Sequence, residues 1–224
     1  MELEHRQPKQ ATEVRQAGLV AAALNLAALR SPADITTADL ARAVGITQGA
    51  VFRHFASKQA IWLAVMDWAA ATLLARLQKA ADGPDPVSLP QSAARVPAPF
   101  QALQAIFAAH VDFIVEHPGV PRMIFQELQH ADDTPLKAGV RTLMQQYRML
   151  VMGHLQRAQE HQLLMPGTDL QAAAVLFLGA VQGLVMQALF SGQVQSMAAQ
   201  APAVFDIYLR GIARTTLPHQ ENTP

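Results

Sequence analysis

The chain has 224 residues, 51% apolar and 15% charged, so it can bury a sizeable core and is not a self-repelling disordered polymer. Seventeen Lys and Arg offset seventeen Asp and Glu, which excludes nucleic-acid binding by bulk positive charge but not by a local basic surface. With no cysteine, disulfide scaffolds, thiolate zinc sites, iron–sulfur clusters and cysteine nucleophiles are excluded.

The opening MELEHRQPKQ is polar and mixed in charge, without the apolar run of a signal peptide, so a cytoplasmic location is expected. Residues 1–60 carry a small excess of basic groups. Apolar spacing then predicts helices nearly throughout, with no alternating strand pattern. A first helix is expected over 12–29, with Leu19, Ala22, Ala23 and Leu26 on one stripe, ended by Ser31-Pro32. A second opens at Thr36, whose hydroxyl can cap backbone N–H groups, with Asp39 three residues on, and closes at Gly45. A third is expected over 47–55 and a fourth over 57–80. Five prolines between Asp82 and Pro99 mark a loop or linker.

Leu103, Ile106, Phe107, His110, Val111 and Ile114 follow helical spacing up to His117-Pro118-Gly119. Further helices are expected over 120–129, over 134–161 from a Thr134-Pro135 start, over 168–191 from a Thr168-x-x-Gln171 capping box, and over 202–213. The fold class is therefore all-α: a small N-terminal helix-turn-helix domain, residues 1–60, followed by a larger helical bundle, residues 61–224.

Function concentrates in Thr36 to Phe55. Two short helices meet at Gly45, which suits the tight turn of a helix-turn-helix, and Leu40, Val44, Ile46 and Val51 supply the contacts between them. The second helix leads with Thr47, Gln48 and Gly49, where a recognition helix meets base edges in the major groove. Gln48 can pair bidentately with adenine, and Gly49 has no side chain to hold the backbone off. Arg53, His54 and Lys58 can meet phosphate oxygens, as can Thr36 and Thr37 from the preceding helix.

The segment from Arg15 to Met66 resembles the N-terminal domain of the TetR (tetracycline-repressor) family of transcriptional regulators. The resemblance rests on Leu19-Val20-Ala21-Ala22-Ala23-Leu24-Asn25-Leu26 and on Ile46-Thr47-Gln48-Gly49-Ala50-Val51-Phe52-Arg53-His54-Phe55-Ala56-Ser57-Lys58-Gln59. Phe52 stands where that family often has tyrosine, Ala27 where phenylalanine is common, and Ser31-Pro32 where a glycine–aromatic corner is common. The resemblance implies a homodimer built from the last two helices, binding palindromic double-stranded DNA. Phe177, Gly179, Gly183, Met186, Phe205, Tyr208, Leu209 and Ile212 are the interface candidates.

Ala172 to Phe190 reads AAAVLFLGAVQGLVMQALF, with no charge between Leu170 and Phe205. Its length also allows a membrane span, although Gln182 and Gln187 lie inside it and no Lys/Arg cluster flanks it. Phe107, His110, Phe113, Ile114, Phe125, Met144, Tyr147 and Phe177 are candidates to line a site for a small apolar effector; the same apolar stripe is also what an ordinary core looks like. His110/His117 and His154/His161 are each two turns apart, too far for a routine chelate, so neither metal nor other cofactor is expected. No hydrolase, metalloprotease, P-loop or dinucleotide motif occurs, so nothing points to an enzyme. A ligand-responsive DNA-binding repressor is the leading expectation; a protein-interaction module of the same fold and a membrane-associated helical protein stay open beside it.

Overall fold

The computed structural model describes residues 6–83 and 96–214, and within them the chain forms nine α-helices and one 3₁₀ turn, η1 (Pro32–Asp34). The helices are α1 (Arg6–Leu29), α2 (Thr37–Ala43), α3 (Gln48–Val51), α4 (Lys58–Ala81), α5 (Ala98–Glu116), α6 (Gly119–Leu128), α7 (Pro135–Glu160), α8 (Leu170–Ser191) and α9 (Ser196–Ile212). Most of the proline-rich linker and the N-terminal MELEH lie outside the described residues. The all-α architecture is the expected one. The only sheet-like pairing among the described residues is a single antiparallel bridge, Leu164 with Ala213.

The first helix begins at Arg6, six residues before the expected Thr12, and three further boundaries differ from expectation. The third helix is regular only over Gln48–Val51, because Arg53 and His54 N–H groups bond three residues back instead of four, tightening the last turn. Asp169, not Thr168, caps α8: its carboxylate accepts the Gln171 and Ala172 N–H groups at 2.8 and 3.2 Å, while Thr168 donates to Met165 O. The last helix starts at Ser196, six residues before Pro202, which therefore lies inside it. At the seventh helical position Pro202 lies past the first turn, so the Ala198 carbonyl goes without the N–H it would otherwise accept.

The described residues pack as two compact units, 6–75 with 113–145, and 76–83 and 96–112 with 146–214. In the first, α1 packs on α2 and on α6 around Leu19, Ala23, Leu40, Val51, Ile61 and Val65, all fully buried. Burying each large aliphatic side chain contributes roughly 1.5–3 kcal/mol. The α1–α6 approach depends on two small residues. A β-carbon on Gly119 would overlap the backbone oxygen of Leu24 and lie 3.0 Å from Ala27 Cβ. Ala27, fully buried, is thus small for a structural reason. The Ser31-Pro32 corner is likewise built into the seam. Ser31 Oγ donates to Gln126 Oε1 at 3.2 Å, and the Ala33 N–H donates to the same oxygen at 2.9 Å.

The second unit is centred on aromatic rings. Phe177 meets Phe107 edge-on with centroids 5.5 Å apart, and Tyr208 at 5.4 Å, in the separation range that aromatic pairs prefer. Phe205 and Tyr147 complete the cluster. Inside it His110 Nδ1 lies 3.2 Å from the Tyr147 hydroxyl. Burial lowers the His110 pKa to about 4 and raises that of Tyr147, so both are neutral at pH 7. Helices α4, α5 and α8 are long and apolar enough, by length and composition, to cross a membrane.

Gly119→Ala is expected to force α6 off α1 and cost about 1–3 kcal/mol, seen as a melting temperature lower by roughly 2–10 °C. His110 gives a pH signature. Its proton is bound near pH 6.5 when unfolded and only near pH 4 when folded, so the unfolded state holds more protons between those values and stability falls as pH drops through that window. His110→Asn should flatten the melting-temperature profile between about pH 6.5 and pH 4.

Candidate nucleic-acid interface

Short-range capping fixes the helix-turn-helix. Thr36 Oγ1 accepts the Asp39 N–H at 3.1 Å, and Asp39 Oδ2 accepts the Thr36 N–H at 2.9 Å, a reciprocal capping box. Those bonds, from the Thr36 backbone first and its hydroxyl next, with Arg30 2.8 Å away, hold the Asp39 carboxyl down at about 2. At the other end Gly45 has φ +69°. The Ile46 N–H reaches Ala41 O at 2.9 Å and the Gly45 N–H reaches Arg42 O at 3.3 Å, the paired bonds of a Schellman turn. Thr47 then caps α3 by accepting the Ala50 N–H at 3.2 Å.

This local frame leaves Thr47, Gln48, Gly49, Phe52 and Arg53 exposed on one side of the short helix, while Ala50 and Val51 are buried. Phe52 is 49% exposed, unusual for a large apolar ring. Gln48 Nε2 donates to Thr37 Oγ1 at 2.8 Å, so two of the expected DNA-facing residues are joined. Gln48 keeps its second amide hydrogen and its carbonyl, the pair that adenine pairing requires. Thr37 accepts that bond and keeps its own hydroxyl proton for a phosphate. Thr36 does not: its proton goes to Asp39 Oδ2 at 2.7 Å, so it has no hydroxyl donor left over from the cap.

The remaining expected phosphate contacts are half-buried. Lys58 Nζ donates to Ala33 O at 3.0 Å, leaving two ammonium hydrogens. His54 offers its backbone carbonyl to Gln16 Nε2 at 3.0 Å, and its Nδ1 is buried with no partner among the described residues. Ser57 caps α4 by accepting the Ala60 N–H at 3.1 Å.

The eight residues expected to line an effector site fall into two groups. Phe107, His110, Tyr147 and Phe177 belong to the second unit and sit in its aromatic cluster. Phe113, Ile114, Phe125 and Met144 belong to the first; Phe113 and Ile114 are buried there, Phe125 and Met144 half-buried. One group in the second unit was not anticipated in this role. The Tyr208 hydroxyl is buried and has no hydrogen-bond partner among the described residues. Among the expected interface residues, Phe177, Phe205, Tyr208 and Ile212 turn into their own unit and are buried. Gly179 and Gly183 are exposed, and Met186 and Leu209 are half-buried. The outward apolar residues are instead Val175, Leu176, Phe190 and Ile207, each more than half exposed. The sequence held one signal for Leu176 and Phe190, the spacing 172, 176, 179, 183, 186, 190 along α8, and none for Val175 or Ile207. Among the described residues no group of three or more metal-ligating side chains occurs.

Residues 19–65 match the family model for bacterial regulatory proteins of the tetR family, which covers the helix-turn-helix just described. No curated protein matches the chain in sequence. Solved structures share its fold. The transcriptional regulator FadR from Bacillus subtilis in complex with stearoyl-CoA is similar with a TM-score of 0.71 and 14% identity, over 88% of this chain and 98% of that one. The ketosteroid transcriptional regulator of Mycobacterium tuberculosis gives 0.68 and 22%, over 90% and 96%. NalD, the secondary repressor of the MexAB-OprM multidrug efflux pump in Pseudomonas aeruginosa, gives 0.63 and 18%, over 92% and 98%. Residues 19–65 thus form a helix-turn-helix domain of the kind found in bacterial regulatory proteins of the tetR family, and the chain shares the all-helical fold of these solved transcriptional regulators.

Proposed function

We propose that the chain is a homodimeric, cytoplasmic repressor that reads a palindromic operator and is released from it by a small apolar effector. Residues 1–60 bind DNA, and residues 61–224 bind the effector and the second copy. The observation that carries this reading is the exposed edge of α3, where Gln48 is held by Thr37 with its adenine-pairing atoms unused. In the complex Gln48 and Thr47 meet base edges, Gly49 lets the backbone come close, and Phe52 packs on the groove wall. Arg53, Lys58 and Thr37 meet phosphates, with His54 beside them.

One such helix reads too few base pairs for useful specificity, whereas two copies about 34 Å apart read two half-sites. The outward face of α8 and α9 supports a second copy as the occupant. Leu176, Phe190 and Ile207 are exposed, and nothing lies within 4 Å of where side chains at Gly179, Gly183 and Gly211 would begin. Such a face lets helices pack closely, and two-fold contacts are the commonest oligomer solution. Lipid would also accept it, but the opposite face of α8, including Phe177, Val181 and Val185, is already buried in its own unit.

The effector reading is supported by the second unit's aromatic cluster and its unpartnered Tyr208 hydroxyl, which suit an apolar molecule bearing an oxygen acceptor. That structures of the same fold concern a stearoyl-CoA complex and a ketosteroid regulator points to the same class. Release follows if the effector binds better to a state in which α4 is displaced and the half-site spacing is lost, since only differential affinity shifts such an equilibrium.

Mobility shifts on the DNA upstream of the protein's own gene test the first part. Gln48→Ala should change which sequences are preferred, by about 1–3 kcal/mol of discrimination, whereas Lys58→Ala should weaken all sites alike and reduce the salt slope by about 1. Leu176→Glu combined with Ile207→Glu should yield a folded monomer that no longer binds the operator. A wild-type protein that ignores every duplex at low salt would overturn the reading. Tyr208→Phe tests the second part. Removing an unpaired buried hydroxyl should raise the melting temperature of the free protein, yet diminish the stabilisation given by carbonyl-bearing apolar ligands. No change in either quantity would remove Tyr208 from the effector site.

A further inference from the structure

A cleft of about 430 Å³ opens in the first unit, bounded by η1, the first turns of α4, the last turn of α6 and the start of α7. That volume lies in the range of roughly 300–1,000 Å³ usual for small-molecule sites. Trp62, Met123 and Leu136 form an apolar floor, each at most 9% exposed. The polar groups divide by charge. Toward η1 lies the Lys58 ammonium, tied by one hydrogen to Ala33 O and holding two more. Toward α7 lie two carboxylates: Glu127, which accepts the Thr134 hydroxyl and has His130 Nε2 4.0 Å away, and Asp132, exposed and in no ion pair among the described residues.

We propose that this cleft is a second ligand site, and that it takes a free amino acid with an apolar or aromatic side chain. The charge pattern selects the class. A simple anion would meet two carboxylates, and a simple cation would meet Lys58, whereas a zwitterion satisfies both ends and lays its side chain on Trp62 and Met123. Its carboxylate bonds the Lys58 ammonium, and its ammonium bonds Asp132 and Glu127. Occupancy also has a consequence that rests on the DNA-binding reading above: Lys58 is one of the phosphate donors, so a ligand carboxylate competes with the DNA backbone for the same ammonium. The site shares no residue with the aromatic cluster of the second unit.

The test is calorimetric titration of the full chain, without DNA, with four probes. L-phenylalanine and L-leucine carry both charges, L-phenylalaninamide lacks the carboxylate, and N-acetyl-L-phenylalanine lacks the ammonium. Saturable binding of the two amino acids, one per chain, is expected, with each blocked probe about tenfold weaker or worse, as loss of a charged hydrogen bond implies. Lys58→Met should erase the preference for L-phenylalanine over its amide. Asp132→Asn, on an exposed side chain that folding does not need, should reduce the preference over the N-acetyl probe. No saturable heat with either amino acid at millimolar concentration overturns the proposal, as does binding unchanged in both variants, which would place the ligand elsewhere. Mobility shifts in the presence of L-phenylalanine separate the two readings. A protein that binds the amino acid but no duplex keeps the cleft and loses the repressor; one that binds its operator but no amino acid does the reverse.

Discussion

The surface proposed to face DNA depends on a left-handed residue at position 45. A side chain with a β-carbon adopts that conformation at a cost of roughly 1–2 kcal/mol, whereas glycine adopts it freely. The turn it permits closes α2 and starts the approach to α3 within three residues, with Leu40 and Val51 buried where the two helices meet. Thr37 and Gln48 lie on helices on opposite sides of that turn, and their hydrogen bond exists only if the crossing is held. The front of α2 is equally constrained. The Thr36 N–H, the Thr36 hydroxyl and Arg30 all favour ionised Asp39, and hold its carboxyl below the usual carboxylate range.

Elsewhere small residues set distances and large ones fill volume. Gly119 and Ala27 bring α6 against α1, and the Gln126 amide then reaches η1 to hold the Ser31-Pro32 corner. In the second unit the division is by face. One side of α8 supplies Phe177, Val181 and Val185 to a packed core, while the other presents glycines and aliphatic side chains outward. A helix without a single charge supplies both faces. The buried His110–Tyr147 pair brings polar groups into that core, and its members satisfy each other as neutral groups.

What could be read from sequence follows the same physics. Gly45, the Thr36–Asp39 box and the Thr134-Pro135 start are local, since each depends on residues within one helical turn, and each was legible. So was the exposed edge Thr47-Gln48-Gly49. The first turn of α8 was ambiguous because Thr168 and Asp169 both carry capping oxygens, and only backbone geometry decides between them. Pro202 suggested a helix start because proline is favoured there, but the helix begins six residues earlier and takes the proline inside it. The orientation of α8 and α9 was the largest loss. On α8, with no charge and only the exposed glutamines Gln171, Gln182 and Gln187 to mark the outside, apolar periodicity did not separate Phe177, which faces inward, from Leu176, which faces outward. The cleft around Trp62 was invisible for a different reason, since its walls lie about 60–100 residues apart along the chain.

That last distinction, between contacts made near in sequence and contacts made far away, carries a kinetic consequence for the seam at Gly119. The α2–α3 turn and its caps enclose only short loops, so little chain entropy is lost before they are rewarded. The α1–α6 contact joins Leu24 and Ala27 to a residue more than ninety positions later, and it tolerates no misfit. Its closure therefore belongs late in folding. During synthesis the α2–α3 hairpin is complete in the chain long before α6, so its short-range contacts are expected to form while the helix that braces it is still to come.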